Sequence, residues 1–372
     1  MKKQKTIVKK RDMRLNKEVK QTILLTIVLC LLIFLNYSNK ILPSNTVNIE
    51  PNQVIIEDNK IKLNSLTLKQ KIAQMIITYE SDYFREKHKE MFIGGIHFDA
   101  KETKEKYIED ISKYKENTTI PFFIVTDMEG CINPLANFHD SLTFKDINTK
   151  EEAYELGKNH GEILSELGFN MNFAPVVDLN DSIWKCRSFR GSPEEIAKKA
   201  KSYIDGMEEF QILSVSKHYP GKTLVSRDPH SQITYGEIEE EDIFPFMISI
   251  KNNVSGIMIS HVITEGVVIS NGKPAVVCPE LIYNLRKNYQ GLIITDEIGM
   301  QGLRKYYENH DELYFDLILA GNDIILFYDP HPNVLFRFIN VIEDAVDKGF
   351  IQEKRIDESV IRILNAKNIE VI

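Results

Sequence analysis

Residues 212–230 read ILSVSKHYPGKTLVSRDPH. The opening is strand-like. Lys217, His218, Lys222, Arg227, Asp228 and His230 then crowd into fourteen residues, with Pro220 and Gly221 bending the backbone between them. A core strand has no use for so many titratable side chains. A loop leaving a buried strand and carrying chemistry does.

Seven other short apolar runs flank this one. They are IAQMIIT (72–78), IGGIHF (93–98), PFFIVTD (121–127), NMNFAPVVDL (170–179), VSGIMISH (254–261), GLIITDEI (291–298) and NDIILFY (322–328). Near-continuous hydrophobicity suits parallel strands buried on both faces. Charged segments at helical period lie between them. Residues 101–117 put Tyr107, Ile111 and Tyr114 on one face, and 150–168 carry a stripe of Ala153, Leu156, Ile163, Leu164 and Leu167. Residues 192–210 open on a Ser192 cap with two acids in the first turn, and 334–349 end on Gly349. Residues 349–368 read as a closing pair of helical turns. Eight strands alternating with helices predict an α/β fold, a (β/α)8 TIM-type barrel in a single catalytic domain. The alternative is a doubly wound open sheet, but no GxGxxG or Walker sequence follows the first strands.

Five successive strand ends carry titratable groups: Asp127 with Glu129, Asp178 with Arg187 beyond it, Lys217 with His218, His261, and Asp296 with Glu297. In a barrel these ends converge on one mouth. Carboxylates, cations and imidazoles there, without HExxH or CxxC metal spacing, suit sugar chemistry. A carboxylate beneath a ring carbon can attack an oxocarbenium-like centre while a second group protonates the leaving oxygen. Asp296, on a strand end, suits the first role. His230, paired with Asp228, suits the second, because an imidazole titrates near operating pH.

The chain has 372 residues and a net charge of −8, distributed unevenly. Residues 1–40 hold ten lysines and arginines against two acids, a balance of +8, which leaves −16 for the remainder. An acidic body argues against nucleic-acid binding. Residues 1–21 read as a basic cytoplasmic segment. Thr22–Leu35 is uncharged, and 22–37 is predicted as a transmembrane signal anchor, with a cleaved signal peptide as the alternative. Residues 38–64, polar with two prolines, read as a linker, and 65–372 as the barrel domain. The body then lies outside the cytoplasmic membrane. Cys131, Cys186 and Cys278 remain outside the apolar run. A Cys131–Cys186 bridge and free buried cysteines are both open.

The motifs resemble the β-N-acetylglucosaminidases of glycoside hydrolase family 3. That family's signature runs roughly KHFPGHGDTxxDSH, and Lys217 to His230 here read KHYPGKTLVSRDPH. TDEIGM (295–300) matches its nucleophile motif. GFNMNFAPVVDLN (168–180), RSF (187–189), VTDMEG (125–130), IMISH (257–261), LAGNDIIL (319–326) and SLTLKQKIAQMI (65–76) follow in the family's order. The resemblance implies retaining hydrolysis of terminal N-acetylglucosamine, with Asp296 as nucleophile and His230 with Asp228 as acid/base. It implies that Asp127, Arg187, Lys217 and His218 hold the sugar, with no metal or organic cofactor. Substrates of the family often derive from peptidoglycan. The alternatives are another β-glycosidase or a phosphorylase of the same family, or a glycan-binding relative without catalysis. Three departures stand out. Cys131, Ile132 and Asn133 replace GRV, removing an expected substrate-binding arginine. Lys222–Val225 replace HGDT, and Pro229 stands between the dyad members. Lys222 would favour an anionic substrate such as a muropeptide.

Overall fold

The computed structural model describes residues 54, 56–224 and 232–372. The expected anchor over 22–37, most of the expected linker, and Asp228 with His230 lie outside the described residues. Among the described residues no helix is long and apolar enough to cross a membrane.

The apolar runs form eight parallel strands: β1 (Ile76–Tyr79), β2 (Gly95–His97), β3 (Phe123–Thr126), β4 (Met171–Asn172), β5 (Leu213–Tyr219), β6 (Gly256–Ile259), β7 (Leu292–Thr295) and β8 (Ile325–Phe327). Each pairs with its chain neighbours, and β8 returns to β1. Between β7 and β8 the sheet is drawn together by one parallel bridge, Ile294 to Ile324, with backbone bonds such as Asp323 N–H to Ile293 O at 2.8 Å. The result is a nearly closed barrel. Every residue of β2, β3, β6, β7 and β8 is buried, as two covered faces require.

The helices form where the sequence caps them. Thr149 and Glu152 make a reciprocal capping box for Lys150–Leu167, and Ser192 and Glu195 do the same for Pro193–Glu208. These two helices cross at glycines. A Cβ on Gly157 would lie 2.1 Å from the Tyr203 carbonyl oxygen, so only glycine permits that approach. Gly349 follows the helix Pro332–Asp347 at φ 75°, the left-handed turn expected of a residue just past a C-cap.

Two local readings differ. The closing segment is one fourteen-residue helix, Glu353–Ala366, because Ile356, Val360, Ile363 and Leu364 share one buried stripe. The end of the expected linker packs on the body. Lys60–Ile61 pairs with Glu370–Val371, and Ile61 is buried there.

One irregularity positions chemistry. Along β5, Ser216 pairs with Ile257 and Tyr219 with Ile259, so Lys217 and His218 together face one residue of β6. In a regular strand successive side chains point to opposite faces. The bulge turns both of these into the barrel mouth.

Candidate active site

The C-terminal ends of the strands enclose a cavity of about 640 Å³. Asp127, Glu129, Arg187, Lys217, His218, Asp296 and Glu297 all line it. Of the other residues named from the sequence, Asp178 and His261 stand behind this lining, and Asp228 and His230 lie outside the described residues.

The deep end is a network of buried charges. Arg187 grips Glu129 in a two-point contact, Nε to Oε2 at 2.5 Å and Nη2 to Oε1 at 2.9 Å. Lys217, only 2 % exposed, bonds both Glu129 and Asp127. His97 donates from Nε2 to the other Asp127 oxygen at 2.6 Å. Burial pushes the Asp127 and Glu129 carboxyls up, but the cations outweigh it. Lys217 and His97 hold Asp127 well below the usual range, and Arg187 and Lys217 do the same for Glu129. Burial disfavours charge on Lys217, yet Asp127 and Glu129 keep its ammonium protonated above its ordinary range.

The backbone carrying these groups is fixed from behind. Asn172 on β4 accepts from Met128 N–H at 2.8 Å and donates to the Met128 carbonyl at 3.1 Å, which sets the turn between Asp127 and Glu129. Asp181 accepts from the backbone N–H groups of Trp184, Cys186 and Arg187 at 2.8–2.9 Å. The Arg187 guanidinium also lies 4.8 Å from the Trp184 ring centre. Asp178, fully buried, receives both the backbone N–H of His218 at 3.1 Å and its Nδ1–H at 2.9 Å.

A disulfide joins Cys131 to Cys186, tying the loop of Glu129 to the loop of Arg187. Cys278 is free and buried. The bridge closes a separation of 55 residues, for which the chain-entropy account expects about 4 kcal/mol. Cys131→Ser is accordingly expected to lower the thermal unfolding midpoint, and so is dithiothreitol added to the wild type. A midpoint indifferent to both would show that the bridge contributes nothing.

Asp296 sits at the end of β7 with its N–H bonded to the Ile259 carbonyl at 3.0 Å. Burial raises its carboxyl, but His218, His261, the Glu297 N–H at 2.8 Å and Lys217 hold it below its ordinary value. Glu297 differs. Burial leads and the Asp296 charge adds to it, so its carboxyl stays above the usual range although Oε1 accepts from the N–H groups of Gly299 and Tyr328. Of the two neighbours, Asp296 is the better prepared anion. His261 meets the Glu297 carbonyl through Nε2 at 2.8 Å, which places it behind the carboxylates.

Lys222 was expected to favour an anionic ligand. It is absent from the cavity lining and is paired with Asp242 at 3.3 Å and Glu239 at 3.6 Å. Its charge is spent on the helix that begins there. Tyr79, His97, Asp99 and Tyr328 are among the lining residues that escaped the sequence reading. Tyr79 packs 4.4 Å from the His97 ring and 4.8 Å from the Tyr328 ring. A histidine closing the run IGGIHF was the available signal. Among the described residues no group of three His, Cys, Asp or Glu side chains is arranged to hold a metal ion.

A parallel barrel with paired carboxylates, cations and imidazoles at its C-terminal mouth defines a (β/α)8 protein built for polar small-molecule chemistry. Residues 67–366 match the glycosyl hydrolase family 3 N-terminal domain. The chain belongs to that family. It is 26% identical over 293 residues to β-hexosaminidase A of Pseudoalteromonas piscicida, covering 68% of this chain and 48% of that one. It is 28% identical over 266 residues to a β-hexosaminidase of Nitrosomonas eutropha, covering 64% of this chain and 75% of that one. A family 3 β-N-acetylglucosaminidase from Paenibacillus sp. str. FPU-7 superposes with TM-score 0.74 at 26% identity, over 82% of this chain and 62% of that one. The chain thus spans about half the length of the first relative and three quarters of the second.

Proposed function

We propose that the protein is a retaining β-N-acetylglucosaminidase that removes terminal N-acetylglucosamine from cell-wall-derived glycans. The observation carrying this reading is the placement of Asp296. It is an anion recessed in the barrel mouth, beside the donors Arg187, Lys217 and His218. Two relatives named β-hexosaminidases and a structural relative named a β-N-acetylglucosaminidase support the substrate class.

In the first step a carboxylate oxygen of Asp296 bonds to the anomeric carbon as the bond to the aglycone oxygen breaks. A proton from the His230 imidazolium goes to that oxygen, and Asp228 steadies the charge. In the second step water attacks the same carbon, gives its proton to His230 and frees Asp296. The role of the dyad rests on its sequence motif. Asp127, Glu129, Arg187, Lys217 and His218 supply fixed acceptors and donors for the sugar's hydroxyl and acetamido groups. Their charges are compensated before substrate arrives, so little reorganisation accompanies binding.

The full chain is expected to hydrolyse a chromogenic β-N-acetylglucosaminide with kcat/KM at least tenfold above the matching β-glucoside, without added metal. Equal rates would point to a broader β-glycosidase. Release of sugar 1-phosphate in phosphate buffer would point to a phosphorylase. Sugar binding without turnover would overturn the enzymatic reading.

The same proposal places the barrel outside the cytoplasmic membrane, held by residues 22–37. The basic run before that apolar segment supports this orientation. The disulfide supports an oxidising compartment. Protease added to cells stripped of their wall should then digest the body while a cytoplasmic marker survives. Protection of both would overturn the placement.

A further inference from the structure

The cavity is polarised. Its lysine and arginine lining among the described residues consists of Lys217 and Arg187, and both lie at the deep end. The lining also holds two further carboxylates. Asp99 has a side chain 64% exposed. Glu297 is pinned by the Tyr328 N–H. The Tyr79 ring packs 4.8 Å from that of Tyr328, which is 62% exposed.

His97 adds an independent sign. It is 2% exposed and lines the cavity. Its Nε2 is committed to Asp127, which leaves Nδ1 as the ring atom that can meet a ligand. That atom has no hydrogen-bond partner among the described residues. The Asp99 carboxylate is 3.9 Å away, beyond hydrogen-bond reach. Lys101, the nearby cation, is already paired with Glu80 and with Asp110.

We propose that the rim formed by Asp99, Glu297, His97, Tyr79 and Tyr328 is a subsite for a sugar ammonium, on the aglycone side of the scissile bond. Resting on the hexosaminidase reading, this makes the substrate a partly N-deacetylated glycan, with terminal N-acetylglucosamine followed by a free-amine hexosamine. Carboxylates compensate the ammonium and aromatic faces attract it. An acetamido group there would bring a carbonyl oxygen against carboxylates. Anionic aglycones would be repelled.

The test compares two disaccharides with the full chain at about pH 6, where an amine of pKa near 8 is protonated. Both carry non-reducing N-acetylglucosamine, β-linked to glucosamine in one and to N-acetylglucosamine in the other. The expected KM is about tenfold lower for the amine-bearing one, equivalent to about 1.4 kcal/mol, and the gap narrows in 0.5 M salt on the order expected for a rim charge. In Asp99→Asn, and separately in Tyr328→Leu, KM for the amine-bearing substrate rises by the larger factor, so the ratio of the two KM values moves toward one. Equal KM values in the wild type overturn the inference, as does a preference that survives both substitutions. Failure of the wild type to cleave either disaccharide or a simple chromogenic β-N-acetylglucosaminide would instead overturn the hexosaminidase reading itself.

Discussion

Asp296→Asn is expected to lower kcat on a chromogenic β-N-acetylglucosaminide by roughly 10⁴-fold, about 5.5 kcal/mol of transition-state stabilisation. The substitution keeps the shape of the side chain. It removes the nucleophile, and it removes the negative charge facing the cationic centre that develops at the anomeric carbon. The fold should be unaffected, because the backbone bond to Ile259 and the surrounding strand do not depend on the carboxylate. Binding of the sugar should survive, since Arg187 and Lys217 stay paired with Glu129 and Asp127. Azide added to Asp296→Gly should restore turnover and yield the glycosyl azide of inverted configuration. Near-wild-type activity in Asp296→Asn would pass the role to Glu297. The structure argues against that outcome. Glu297 has one oxygen occupied by two backbone donors, and its proton is retained above the usual carboxylate range.

Lys217→Met is the second large effect, and it is chiefly one of stability. Methionine fills much the same volume but leaves Glu129, 1% exposed, with Arg187 alone, and leaves Asp127 with His97 alone. Removing one partner from a buried ionic network costs about 3–5 kcal/mol, because the remaining charge stays desolvated. The expected fall in unfolding midpoint is on the order of 10 °C. The pH dependence identifies the cause. Asp127 and Glu129 have depressed folded-state pKa values. Their contribution is therefore present above the ordinary carboxylate value of about 4 and is lost as pH falls through the lower folded values. Lys217→Met shrinks that depression. Its unfolding free energy in denaturant should consequently fall less steeply than the wild type's below about pH 4. Parallel curves would show that Lys217 stabilises by packing and not by charge.

Much of this site could be read from the sequence because a barrel converts strand ends into neighbours. Asp127, Lys217, His218 and Asp296 were each visible as a polar residue closing an apolar run, Arg187 lay just beyond one, and all of them reach one cavity. His97 was visible in the same way, at the end of IGGIHF, but one histidine among apolar neighbours reads equally well as a core residue. Tyr79 and Tyr328 gave no signal, since aromatic residues end strands for packing alone. Asp99 falls between the run 93–98 and the helical segment 101–117 and gave no signal of its own. Only proximity to His97 and Asp127 gives it a role.

Sequence by itself determined the alternation of buried strands and capped helices, and with it the barrel. Period, capping boxes and continuous apolar runs are local properties that act over a few residues. It also determined which residues could do chemistry. Tertiary structure alone decided how their charges are shared. Nothing in the spacing says that Glu129 pairs with Arg187 across 58 positions, or that Lys217 bridges two carboxylates. The two open readings of Cys131 and Cys186 were settled only when two loops met. Alternation along a strand would turn Lys217 and His218 to opposite faces. The bulge against β6 turns both inward, and that register is fixed by the neighbouring strand, not by the residues themselves.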